Sequence, residues 1–118
     1  MFSLLSAIVS LLMTTQPTFT TADQAVEFLA SQLRAGHFDS LRAAFRAPSD
    51  KSTFEFLAKR LQALDRKTPL PALYANRPFP TTSNTFTLGG HGIPWDHLHV
   101  RFVKVEDHWV LQSLTQCR

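Results

Sequence analysis

The chain has 118 residues, of which 44% are hydrophobic and 18% are charged, and its formal net charge is +3. This length predicts one domain, and the balance of apolar and charged residues excludes a disordered chain. The single cysteine, Cys117, excludes an intrachain disulfide and predicts a small apolar residue near a strand end, with an intermolecular bridge or a free reactive thiol as the alternative.

Residues 1–13 form an apolar segment: ten of the thirteen are apolar, and no charge appears before Asp23. The segment is shorter than the roughly 20 residues that cross a bilayer, and its length is typical of a secretory signal peptide, although no Lys or Arg precedes it. We expect a leader over residues 1–20, a single domain over residues 21–118, and export to the periplasm or the extracellular space, with no stable membrane span after leader removal. A buried N-terminal helix in a cytoplasmic protein, or a membrane anchor, is the alternative.

Two helices are predicted next. Over residues 21–36, Thr21 and Gln24 have capping-box spacing, apolar residues recur at helical intervals, and Gly36 occupies the position of a left-handed C-cap. The segment HFDSLRAAFRAP predicts a short second helix that ends before Pro48.

A third helix is predicted over residues 49–67, where Ser52 and Glu55 have capping-box spacing before an apolar stripe. Four basic residues lie largely off this stripe: Lys59, Arg60, Arg66 and Lys67. Because they occur only in pairs, we interpret them as a solvated helix surface, and nucleic acid is not an expected partner. A basic surface that binds an anionic partner stays an alternative.

The rest of the chain is predicted to be mainly extended. Prolines at 69, 71, 78 and 80 exclude a long helix and a central strand, and leave at most a short edge strand over residues 72–74. Strands are predicted over residues 85–88, 95–105 and 108–116, the last two joined by a tight turn at Glu106-Asp107. The predicted fold is α+β, with N-terminal helices packed on a C-terminal antiparallel meander.

A two-residue turn fixes which side chains share a face of this hairpin. It pairs Val105 with His108 and Val100 with Ser113. The predicted core face consists of Leu98, Val100, Phe102, Trp109 and Leu111. The opposite face is expected to carry His97, His99, Arg101, Val103 and Val105 with Val110, Gln112 and Leu114.

The two ends of the chain resemble a known family. AVEFLASQL followed by RAGHFDSL resembles the opening helices of the nuclear transport factor 2-like (SnoaL-like) superfamily, and VRFVKVEDHWVLQSL resembles its closing hairpin. The resemblance implies a curved, cone-shaped sheet wrapped by helices around a pocket. Members of that superfamily include isomerases, cyclases, dehydratases and non-catalytic binding or dimerisation domains. No family motif matches residue by residue, so no catalytic residue is carried over.

The segment HGIPWDHLHVRF concentrates the reactive side chains of the chain. His97 and His99 are two residues apart on a predicted strand, so both should point to the face of Arg101, and His91 could approach from the preceding loop. Three readings stay open. The cluster could be the polar, solvent-facing end of the sheet, a zinc site of His91, His97 and His99, or a general base beside an anion-binding Arg101.

These patterns favour a small exported module without catalysis or cofactor, which binds a small ligand or assembles. A homodimer through the outer sheet face is expected, because Val103, Val105, Val110 and Leu114 would otherwise be exposed. The alternative is a pocket enzyme of the isomerase, cyclase or hydrolase type, with His97 or His99 as the general base.

Overall fold

The computed structural model describes residues 16–76 and 84–116, so most of the expected leader and Cys117 lie outside the described residues. Within these residues, four helices precede a three-stranded antiparallel sheet of order β1-β2-β3, which is the predicted α+β arrangement. The helices are α1 (Ala22–Ala35), α2 (Phe38–Ala44), α3 (Lys51–Lys67) and α4 (Leu70–Ala75), and the strands are β1 (Thr85–Gly89), β2 (Leu98–Val105) and β3 (His108–Gln116).

Both ends of α1 have the predicted caps. The Thr21 side chain accepts a hydrogen bond from the Gln24 N–H at 3.2 Å, and the Gln24 side chain accepts one from the Thr20 N–H. Gly36 ends the helix with φ 74°, a left-handed conformation that favours glycine. These caps satisfy backbone groups that the helix itself leaves unpaired.

The N-cap of α3 is Asp50, so the prediction of a cap at Ser52 is wrong. The Asp50 carboxylate accepts hydrogen bonds from the Thr53 N–H at 3.0 Å and from the Thr53 and Ser52 hydroxyls. These bonds, the backbone one first, lower the pKa of Asp50 to about 2. A charged acceptor reached by three donors outcompetes the single hydroxyl of Ser52, which lies in the first turn.

Residues 70–75 form a helix, α4, so the predicted edge strand over residues 72–74 is wrong. Pro69 is its N-cap and Pro71 lies in its first turn, where a missing N–H removes no helical hydrogen bond. The Leu70 N–H donates to Oδ1 of Asp65 at 2.8 Å. The same carboxylate accepts two hydrogen bonds from Arg34 of α1, so Asp65 ties three helices together.

Near its turn, the β2–β3 hairpin has the predicted turn length and pairing register. Glu106 and Asp107 have φ of 50° and 65°, as a two-residue turn with two left-handed residues requires. The residues of the predicted core face are all buried: Leu98, Val100, Phe102, Trp109 and Leu111. The helices supply most of the rest of this core.

The register changes further from the turn. Pairing follows the prediction as far as Leu111, but Val100 then lies opposite Leu114 rather than Ser113. Gln112 is therefore an extra residue in β3, which makes this a β-bulge. Leu114 moves to the core face, where it is 1% exposed, so its predicted place on the outer face is wrong.

The bulge allows β3 to form two hydrogen bonds with residues 46–47, which lie along its outer edge. The Arg46 N–H donates to the Leu111 carbonyl at 3.0 Å, and the Ala47 N–H donates to the Gln112 carbonyl at 2.9 Å. Successive carbonyls of a regular strand point to opposite edges, so only an irregular strand offers both acceptors to one neighbour. The bulge thus provides hydrogen-bond acceptors for two backbone N–H groups of the segment that links α2 to α3.

Candidate functional site

The loop of residues 90–97, between β1 and β2, holds two of the four predicted site residues, His91 and His97, and the other two, His99 and Arg101, lie on β2. Its two ends are held close together: the Gly90 N–H donates to the Leu98 carbonyl at 3.2 Å, and the His97 N–H donates to the Gly90 carbonyl at 2.8 Å. At Gly89, a Cβ would lie 2.1 Å from the Leu98 carbonyl oxygen. Only glycine permits this approach of the two strands.

The strand β2 begins at Leu98, so the prediction that it begins at Trp95 is wrong. Asp96 and His97 have φ of 51° and 69° and lie in a turn before the strand. His97 and His99 are therefore not successive outward residues of one strand. The turn arises because Gly90 and His97 close the loop, a contact that the alternating pattern does not reveal.

The three histidines nevertheless come together. Nδ1 of His91 lies 2.8 Å from Nδ1 of His97, and the His91 ring centroid lies 4.8 Å from that of His97 and 5.6 Å from that of His99. Burial lowers the pKa of His99, and the neighbouring His91 and His97 lower it further. Nε2 of His99 is buried and has no hydrogen-bond partner within the described residues.

None of the residues of this histidine cluster (His91, His97 and His99) lines any of the three cavities described below. No group of three His, Cys, Asp or Glu side chains that could hold a metal ion occurs in the described ranges, 16–76 and 84–116. Arg101 is exposed on β2. Three surface cavities of about 310, 330 and 390 Å³ are lined by other residues.

The cavity of about 310 Å³, hereafter the loop cavity, lies between the second half of α3 and the segment that leads into β2. Its lining consists of Arg60, Ala63, Leu64, Lys67, Ile93, Pro94, Trp95, Asp96 and Leu98. Leu64 and Leu98 are buried, Trp95 packs partly against the core, and Ile93 is 100% exposed. The cavity thus has apolar walls that extend from the core to the surface.

Charges in the loop cavity are few and unbalanced. Arg60 donates a hydrogen bond to Asp96 and forms an ion pair with it. Lys67 is exposed, and no ion pair of its side chain occurs within the described part of the chain. Two cations therefore face one carboxylate.

Four basic residues between Lys59 and the end of α3 divide between two rows. At about 100° per residue, Arg60 and Lys67 share one face of the helix, and Lys59 and Arg66 share another. Lys59 lies 3.1 Å from Glu55, one turn earlier. Their interpretation as a solvated surface therefore applies to Lys59 and Arg66, whereas Arg60 and Lys67 line the loop cavity. Both pairs have the same seven-residue spacing, so the spacing does not distinguish them.

The other two cavities offer less to a ligand. The cavity of about 330 Å³ reaches Ala75 and the cavity of about 390 Å³ reaches Gln116, and both residues lie within two positions of segments outside the described residues. The first contains Asp23 and Glu27, and the second contains no charged residue. The loop cavity combines cations with an aromatic wall, and all its lining lies well within the described ranges.

Comparisons with family models, with curated proteins and with solved structures gave no match. The resemblance to the nuclear transport factor 2-like superfamily therefore stays a prediction. None of the helices in the described residues combines the length and apolar character that crossing a membrane requires. Function is accordingly argued from the geometry of the site alone.

Proposed function

We propose that this protein is a small non-catalytic binding module, and that the loop cavity is its ligand site. The observation that supports this most directly is the cavity itself. Its volume of about 310 Å³ is at the lower end of the range for small-molecule sites, roughly 300–1,000 Å³. Apolar walls with a few charged groups, as Leu64, Trp95 and Arg60 provide here, are typical of such sites.

Binding is favoured over catalysis because of where the histidines lie. A general base near neutral pH is most often a histidine, yet His97 and His99 do not line the loop cavity. Inside the cavity, the Arg60 guanidinium and the Asp96 carboxylate neutralise each other. A substrate on the outer sheet face would meet Arg101 in open solvent, without the exclusion of water that an enzyme pocket provides.

A screen of small fragments tests this function. Ligand-observed NMR on the full chain should find fragments that bind the wild type and lose binding in Ala63→Phe, since Ala63 is an exposed lining residue and a phenyl ring there fills the loop cavity. Arg66→Phe adds the same ring on the exposed surface of α3 and should leave binding unchanged. The loop cavity would be ruled out as the ligand site if every fragment bound Ala63→Phe as well as Arg66→Phe, or if no fragment bound the wild type.

Assembly through the sheet is the second proposed function, favoured by apolar side chains on the outer face. Val105 is exposed and Val103 is half-buried there, whereas Val110 is buried, so the expectation that it would be exposed is wrong. Strands of five, eight and nine residues, about 4.8 Å apart, offer roughly 350 Å² per copy, less than half of what a stable dimer buries on each partner. We therefore expect at most a weak dimer. Sedimentation should show association that Val105→Lys abolishes, and a monomer at every concentration would exclude it.

We also propose export, which rests on the apolar pattern of residues 1–13. Expression of the full chain in a secreting host should yield a mature protein that begins near residue 21, as read by mass spectrometry. A full-length chain recovered only from the cytoplasm would contradict export, and this outcome is independent of ligand binding.

A further inference from the structure

We infer that the loop cavity binds a small apolar carboxylate, a molecule with one anionic end and one aliphatic or aromatic end. This inference rests on the proposed function, because it names the ligand class of the same site. It follows from three features of the lining: an excess of positive charge, a path of apolar surface from the core to the rim, and a carboxylate already bound to one cation.

The charge of the lining selects an anion. Arg60 and Lys67 lie two turns apart on the same face of α3, and Asp96 is the one acidic residue of the lining. The Arg60–Asp96 pair leaves the charge of Lys67 uncompensated. A single negative charge on the ligand would balance the site, whereas a cation would add to the excess.

The apolar surface selects the other end of the ligand. Leu64 and Leu98 are buried at the base of the loop cavity, Trp95 is half-buried, and Ile93 is fully exposed at the loop. A chain or ring that lies along these side chains removes their exposed apolar area from water. Surface ion pairs contribute little by themselves, so we expect this contact to supply most of the affinity and the cations to supply selectivity.

The contact between Arg60 and Asp96 demonstrates that a carboxylate fits this part of the lining. Asp96 holds its carboxylate against the guanidinium from a left-handed turn position, while 69% of its side chain remains exposed. A ligand carboxylate beside Asp96 would form its ion pair with Lys67, because Arg60 is already paired with Asp96. The negative end of the α3 dipole opposes an anion at this end of the helix, so binding depends on Lys67 to offset it.

Three probes with the same tail and different heads test the ligand class. Octanoate, 1-octanol and octylammonium are titrated into the full chain at low ionic strength, with Trp95 fluorescence as the readout and Trp95→Phe as the assignment control. We expect octanoate to bind roughly tenfold more tightly than octylammonium, with octanol between them. Lys67→Ala should weaken octanoate by about fivefold and leave octanol unchanged.

The matched control is Lys59→Ala, which removes a lysine from the other row of the same helix. It should not alter octanoate binding. Equal binding of octanoate and octanol, tighter binding of octylammonium, or equal effects of the two lysine variants would overturn the inference. If octanoate fails to bind while fragments still bind in an Ala63-dependent way, the ligand class is wrong and the proposed function stands; if no compound binds, both are wrong.

Discussion

Protonation of His99 opposes folding, because its ring is half-buried beside His91 and His97. Its pKa is below the usual value of about 6.5, so the unfolded chain binds a proton that the folded chain resists. The contribution of His99 to stability is therefore fully present above pH 6.5 and is lost as the pH falls below that value.

The corresponding prediction compares two histidine variants by urea denaturation between pH 7.5 and pH 5.5. The wild type should lose unfolding free energy as the pH falls through this window, and His99→Gln should lose less. His108→Gln, which changes an exposed histidine outside the histidine cluster, should keep the wild-type slope. An unchanged slope in His99→Gln would show that the cluster does not carry the pH dependence.

Asp65 is 3% exposed, and its carboxylate holds α1, α3 and α4 together. Asp65→Ala would leave the Leu70 N–H buried without an acceptor and the Arg34 guanidinium without its partner. Because Arg34 is half exposed, we expect a loss of about 2–3 kcal/mol of unfolding free energy rather than the full cost of a broken buried pair.

Asp65→Asn is the matched control, since its amide oxygen can still accept from Leu70. Chemical denaturation should place this variant between the wild type and Asp65→Ala. If Asp65→Ala unfolds with the stability of the wild type, the carboxylate is not the link between these helices.

At the scale of the elements, the bulge in β3 places Leu114 in the core and leaves Val105 exposed on the outer face. Leu114→Ala should cost about 2–4 kcal/mol of unfolding free energy, because it leaves a cavity among buried side chains. Val105→Ala should cost less than about 1 kcal/mol. Thermal unfolding measures both, and equal losses would contradict the bulged register.

Helix ends and the hairpin turn could be predicted from the sequence because local residues determine them. Thr21 and Gly36 cap α1 through contacts within the same turn, and the turn at Glu106-Asp107 sets the first pairs of the hairpin. The bulge could not be predicted, because it accommodates Arg46 and Ala47, which are distant in sequence. The strand predicted at residues 72–74 is wrong for a local reason: Pro69 and Pro71 lie at the start of a helix, where proline is tolerated as it is at a strand edge.

At the scale of the whole molecule, the site depends on contacts that no local pattern contains. Arg60 and Lys67 look like solvated helix charges until the loop of residues 90–97 folds against them. That loop takes its shape from the Gly90–His97 hydrogen bond, which also removes His97 from the strand. The sequence singles out residues 91–102, but the tertiary fold places Trp95 and Asp96 in the lining of the loop cavity and leaves the three histidines outside it.

The two tryptophans of the chain provide an internal comparison for the central claim that the loop cavity is the ligand site. Trp95 lines the loop cavity, whereas Trp109 is buried in the sheet core. In a ¹H–¹⁵N NMR titration with octanoate, the indole N–H signal of Trp95 should shift and saturate while that of Trp109 stays in place. A Trp95 signal that does not move, or equal movement of both signals, would contradict ligand binding in the loop cavity.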